Sequence, residues 1–274
     1  MAVGLRDRGI QIKSPDQIDV MRRAGLVVGE TLELLRASVR VGMTTGELDA
    51  IAEEHIRSKG GKPSFLGYHG FPGTICASVN DEVVHGIPGD RVLADGDVLS
   101  IDCGAIIDGW HGDAAITVAL GEVPAEVSEL MRVTEEALWR GIAAARLGGR
   151  VSDISHAVER HVRGVGDYGI VEDYTGHGIG SEMHQPPNVP NYGRPGKGPK
   201  LVRGLALAVE PMITLGTKDT VLQEDDWTVV TADGSLAAHF EHTFTLTPNG
   251  AWVLTALDGG EAKLAELGVP FGGP

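Results

Sequence analysis

The chain has 274 residues, 42% of them apolar and 22% charged, with a formal net charge of −15. That is globular composition with an acid excess, which argues against a broad basic surface for nucleic acid, and no apolar run reaches the roughly 18–20 residues of a membrane span. Its two cysteines, Cys76 and Cys103, are too few for a disulfide framework and form no CxxC pair, so a reducing compartment, the cytoplasm, is expected.

The stretch from Met1 to Lys13 carries charges but no apolar core, so no cleaved leader is read there. Ser14-Pro15-Asp16-Gln17 predicts a capped helix running through Arg36, and Thr44 with Glu47 predicts a second, to about Ser58. Pro124 opens a third, to about Leu147, and Ser152 is expected to cap a fourth, to about Arg163. Two long loops, Gly60 to Asn80 and Gly176 to Lys200, are rich in Gly and Pro; loops of that length in a compact domain are usually functional. The tail from Gly268 to Pro274 is expected to fray.

An internal repeat organises these elements. The run Leu48 to Arg57 resembles Ile154 to Arg163, and Leu93 to Asp102 resembles Leu201 to Glu210, at offsets of 106 and 108 residues. Each half then reads helix, helix, strand ending in a carboxylate. This predicts an α+β fold of two duplicated halves about a pseudo-twofold axis, not a doubly wound βαβ sheet. The expected division is an N-terminal extension (1–12), one catalytic domain (13–258, halves 13–121 and 122–258) and a C-terminal tail (259–274).

The carboxylates carry the chemistry. Asp97 to Ile107 reads as a strand, Asp108-Gly109 as a two-residue hairpin turn, and Trp110 to Val118 as the returning strand. With that turn Asp113 faces Gly104, so Asp102 and Asp113 are diagonal neighbours on one face. Like charges so placed repel unless a proton or cation lies between them. In the second half Leu205 to Glu210 and Ala238 to Thr245 each alternate around an acid, Glu210 and Glu241. A lone acid at a strand end ordinarily serves a turn; inward-facing acids at matched repeat positions have no cheap structural role. Oxygen-rich clusters with one imidazole suit Mn, Fe(II), Co or Zn, and four carboxylates fit two bridged ions better than one.

His177 lies in the glycine-flanked turn Gly176-His177-Gly178-Ile179-Gly180, where small neighbours let backbone and ion approach. His85, in Val84-His85-Gly86-Ile87-Pro88, and His184 are candidates for substrate contact and proton transfer. His55 and His161 fall on the repeated helices and are read as having no chemistry; His111 is left unassigned.

At these residues the chain resembles the methionine aminopeptidases, of the pita-bread metallohydrolase fold (peptidase family M24). The matching stretches are Val83 to Pro88, Ile101-Asp102, Trp110 to Asp113, Gly176 to Gly180, Val209 to Met212 and Phe240 to Thr243, six motifs in the family's order. The resemblance implies metal-dependent removal of the initiator methionine from nascent chains when the second residue is small, by attack of a water bridging two ions. It implies Asp102 on one divalent ion, His177 and Glu210 on the other, and Asp113 and Glu241 bridging. Glu210 would also be general base, with His85 at the scissile amide and His184 at the carbonyl. Tyr68, Phe71, Cys76, Met183 and Trp227 match positions of an apolar S1 pocket, and Met183 stands where many relatives carry an aromatic. The absence of a Cys/His-rich extension, and of room for a helical insertion between Pro190 and Leu201, implies the type I form, bacterial or organellar. A monomer, with transient ribosome contact at most and no membrane or nucleic-acid partner, is expected. The rivals are an X-Pro peptidase, which usually carries a large N-terminal domain, and a binding module that has lost its metal ligands. All five ligand positions are filled here.

Overall fold

The computed structural model describes residues 9–274; the expected extension therefore lies mostly outside the described residues. In chain order the elements are α1 (Pro15–Ser38), α2 (Thr45–Ser58), β1 (Lys62–Pro63), β2 (Ile75–Val79), β3 (Glu82–Val84), β4 (Val98–Ile107) and β5 (Trp110–Ala119). The second half continues with α3 (Ala125–Ala144), α4 (Val151–Val165), β6 (Gly169–Ile170), β7 (Gly176–Gly178), β8 (Gln185–Val189), β9 (Ala206–Val209), β10 (Met212–Thr214), β11 (Thr220–Leu222), β12 (Val229–Thr231), β13 (Ala237–His239), β14 (Glu241–Thr247), β15 (Gly250–Val253) and α5 (Glu261–Glu266).

Both predicted capping boxes are present: Ser14 Oγ accepts from Gln17 N at 3.3 Å and Thr44 Oγ1 from Glu47 N at 3.1 Å. The fourth helix differs. Its N-cap is Arg150, whose N–H donates to Asp153 Oδ2 at 2.7 Å, while Ser152 Oγ accepts from Lys197 N on a neighbouring loop. The third helix stops at Ala144, short of Leu147. Neither long glycine-rich segment is wholly loop: the first contains β1 and β2, the second β7 and β8. The tail is not frayed, because Gly272 N donates to Ala251 O at 2.7 Å and Thr247 Oγ1 donates to Gly272 O at 2.8 Å.

The main sheet runs β1-β4-β5-β14-β9-β7-β8, with β2 on β4 and β15 on β14, and the adjacent pairs are antiparallel. Its centre reads as a palindrome: the β4–β5 hairpin of the first half meets the β9–β14 pair of the second through the β5–β14 contact. The apolar faces of all four long helices pack on this sheet, with Leu32, Leu35, Leu130, Leu138, Ile142, Ile154 and Val158 buried against strand residues such as Ile101, Leu207 and Phe244. Burying each such side chain stabilises by about 1.5–3 kcal/mol, so the curved sheet is rigidly backed. The other face holds the polar residues considered next.

Candidate metal centre

Pairing register alone brings the acids together. The Asp108-Gly109 turn sets Ile107 opposite Trp110, which places Gly104 opposite Asp113 and Asp102 opposite Ala115, as the sequence predicts. On its other edge Ala115 pairs with Glu241 of β14. A row across three strands therefore reads Asp102, Ala115, Glu241, with a one-carbon side chain between two carboxylates. Asp113 lies two residues from Ala115, on the same face.

The second half completes the row. His242 pairs with Val209, so Glu210 follows immediately at the level of Glu241, where Pro211 interrupts the ladder. The Asn191 side chain holds this bend, its Nδ2 donating to Glu210 O at 3.0 Å. His177 belongs to a strand, not to the turn that its glycines suggest: Gly178 pairs with Leu207, which puts His177 at Ala208 on the face of Glu210. The flanking glycines serve close strand approach. A Cβ at Gly176 would meet Ala208 O at 2.4 Å, and one at Gly178 would meet Pro186 O at 2.2 Å. His177 Nδ1 donates to Gly178 O at 3.0 Å, which directs the lone pair of Nε2 into the cluster. The segment read as one strand from Ala238 to Thr245 is broken at Phe240 into β13 and β14, which belong to different sheets.

His177 Nε2 stands 3.5 Å from Glu210 Oε1 and 3.9 Å from Asp113 Oδ2. Asp113, His177 and Glu241 each offer a donor atom within 4.8 Å of the others, and so do Glu210, His239 and Glu241. Donor atoms sharing an ion at about 2.0–2.2 Å stand roughly 3–4 Å apart, so the set fits a divalent ion. Burial raises all four carboxyls: Asp102 to about 7, Asp113, Glu210 and Glu241 well above their usual range, with mutual repulsion adding to the effect for the last three. Asp102 Oδ1, Asp113 Oδ1 and Glu241 Oε1 are buried without a hydrogen-bond partner. Oxygens so placed call for a cation. Burial holds His177 down at about 3, so it is neutral and able to ligate.

The cluster forms the floor of a cavity of about 400 Å³. All twelve residues singled out from the sequence line it: Asp102, Asp113, His177, Glu210, Glu241, His85, His184, Tyr68, Phe71, Cys76, Met183 and Trp227. One end is apolar, with Phe65, Phe71, Cys76 and Met183 buried together and Tyr68 and Trp227 beside them. His85 has φ +62°, a left-handed conformation that a histidine adopts at a cost, and its ring meets Tyr174 edge-on at 5.5 Å. His184 lies against His177, ring centres 4.3 Å apart, and its Nδ1 is 2.9 Å from Tyr68 Oη. His69, Asp173, Tyr174 and Thr175 also line the cavity without having been singled out. His239 was missed as well. It lies two residues before Glu241, and that spacing within an alternating run was the signal for it.

The model of metallopeptidase family M24 matches residues 19–248. The chain is 53% identical over 247 residues to methionine aminopeptidase of Clostridium acetobutylicum, covering 90% of this chain and 98% of that one. It is 51% identical over 254 residues to methionine aminopeptidase 1 of Mycobacterium tuberculosis, covering 90% and 96%. The crystal structure of methionine aminopeptidase from Thermotoga maritima superimposes with a TM-score of 0.88 at 43% identity, over 90% of this chain and 99% of that one. The fold is the α+β pita-bread fold anticipated from the repeat and the resemblance, and the chain belongs to metallopeptidase family M24 and, within it, to the methionine aminopeptidases.

Proposed function

We propose that this enzyme removes the initiator methionine from nascent polypeptides whose second residue is small, using two divalent ions. Asp102 would hold one ion, His177 with Glu210 would hold the other, and Asp113 and Glu241 would serve both. Bound there, such ions supply Lewis acidity and lower the pKa of water towards neutrality. The protein residues do the rest. Glu210, at the cavity floor, takes a proton from the attacking water. His85 meets the scissile amide or leaving amine, and His184 faces the substrate carbonyl as charge develops. Phe65, Phe71, Cys76 and Met183 receive the methionine side chain, whose unbranched thioether suits an apolar pocket containing sulfur.

The observation that carries this reading is the row Asp102, Ala115, Glu241 with Asp113, Glu210 and His177 around it, opening onto one apolar cavity. The catalytic unit is assigned to residues 13–258, built of halves 13–121 and 122–258. A cytoplasmic monomer that meets its substrates at the ribosome accords with this role, and no helix among the described residues is long and apolar enough to cross a membrane.

The test is cleavage of Met-Gly-X, Met-Leu-X and Ala-Pro-X peptides by metal-stripped enzyme reloaded with Mn, Co, Fe(II) or Zn, with occupancy measured. Met-Gly-X should be preferred, and Glu210→Gln and Asp113→Asn should each lose at least about 10³-fold while remaining folded. Preference for Ala-Pro-X, or near wild-type rates in either variant, would overturn the assignment.

A further inference from the structure

His239 is buried at the end of β13, and its Nε2 has no hydrogen-bond partner. Its backbone is fixed on both sides: its N–H donates to Thr117 Oγ1 at 2.9 Å, and that hydroxyl donates to His239 O at 2.7 Å. The side chain is therefore aimed by the sheet, and it is aimed at the metal centre. Nε2 stands 3.8 Å from Glu210 Oε2 and 4.0 Å from Glu241 Oε2. The Glu210 carboxylate is thus bracketed by two imidazoles, with Oε1 3.5 Å from His177 and Oε2 facing His239. Unlike the five ligand candidates, His239 does not line the cavity.

We propose that His239 is a positioning residue, which donates its Nε2–H to Glu210 Oε2 and so holds Glu210 Oε1 toward the ion shared with His177. The inference rests on the metal centre described above. A buried N–H is costly to leave without a partner, and a carboxylate whose one oxygen is a ligand offers it the other. A neutral imidazole has one N–H to donate. Partners of this kind orient a ligand, and their loss typically lowers metal affinity by about 10–100-fold.

The test is calorimetric titration of Mn(II) into the metal-stripped full chain, alongside the Co(II) absorption spectrum and the melting temperature of the metal-free protein. Binding of Mn(II) by the wild type tests the metal centre itself; the variants test His239. His239→Leu and His239→Met, which lack a donor, should bind Mn(II) about 10–100-fold more weakly, with a metal-free melting temperature no lower than wild type. His239→Gln, which offers an amide N–H at a similar reach, should bind within about threefold of wild type and keep its Co(II) spectrum, because the donor is retained. Wild-type affinity in the Leu and Met variants would overturn the proposal. So would loss in Gln equal to that in Leu, which would make the imidazole itself a ligand, or failure of both donor-free variants to fold without metal.

Discussion

Asp102 and Asp113 lie diagonally across one face of the β4–β5 hairpin, Asp102 opposite Ala115 and Asp113 opposite Gly104. Without a cation the pair is kept by protons. Burial pushes Asp102 up to about 7, and burial together with Glu241 and Asp102 pushes Asp113 well above its usual range. The consequence is a metal-free protein strained by its own site. A carboxyl raised above its unfolded value of about 3.9 favours folding below that pH, and the benefit is lost as pH rises through the folded value. For Asp102 the window runs from about 4 to about 7. Asp102→Asn removes the term, so in EDTA the variant should melt above wild type at pH 8 and near it at pH 4. The shift of about three units sets an upper bound of roughly 4 kcal/mol. Comparing variant with wild type at each pH cancels the buried histidines, whose lowered pKa values act in the opposite direction. A variant that melts lower at pH 8 would contradict the argument.

The same protons must leave when metal enters. Below about 7 Asp102 is largely protonated, and burial raises the other three carboxyls well above their usual range. His177, held near 3, does not compete for protons in that range. Apparent Mn(II) affinity should therefore rise about tenfold per pH unit for each proton displaced, between pH 6 and 7. Calorimetry in two buffers of different ionisation enthalpy counts the protons released. Affinity that is flat across this range would show that the acids are already ionised.

How much of this was legible depended on whether local chemistry set the geometry. Asp108-Gly109 dictates a two-residue turn, so the positions of Asp102 and Asp113 could be counted from it. Thr44 with Glu47 and Ser14 with Gln17 announced two helix starts for the same reason. Arg150 did not, because the cap there is supplied by Asp153 from within the helix. The convergence of Glu241 on Asp102 through Ala115 is a long-range pairing, which the repeat suggested but no local signal fixed. His177 looked like a loop residue, since its glycines serve strand contacts that exist only in the folded sheet. His239 carried a signal, its two-residue spacing from Glu241, but the break at Phe240 that puts the two in different sheets is set by long-range pairing and has no local sign.

The apolar end of the cavity predicts a graded side-chain preference. Phe65, Phe71, Cys76 and Met183 offer no strong hydrogen-bonding group, so a thioether seated among them would be recognised by shape. A norleucine-Gly-X peptide should thus be cleaved within about tenfold of Met-Gly-X. Shortening the side chain should cost about 1–3 kcal/mol per methylene lost, or roughly 10–200-fold in kcat/KM at each step. A series of N-terminal norleucine, norvaline and 2-aminobutyrate peptides measures this. Equal rates across the series would place the first side chain elsewhere.

The polar rim is built differently, and Tyr68 is where the two meet. Its ring lies at the edge of the apolar cluster while its hydroxyl stands 2.9 Å from His184 Nδ1. Burial lowers the His184 pKa, so the ring is neutral and Nδ1 can accept the Tyr68 proton. With Tyr68 as donor, Nε2 carries the ring proton, the tautomer a carbonyl oxygen requires. Tyr68→Phe keeps the apolar wall and removes the constraint. If His184 meets the substrate carbonyl as proposed, the substitution should lower kcat by about tenfold with little change in KM, because the lost interaction would act where charge develops. His184→Ala should cost more. Adding Tyr68→Phe to it should cost little further, since the hydroxyl then has no imidazole to orient. Additive losses in the double variant would mean that Tyr68 contacts substrate directly, and the KM of the single variant would then rise with it.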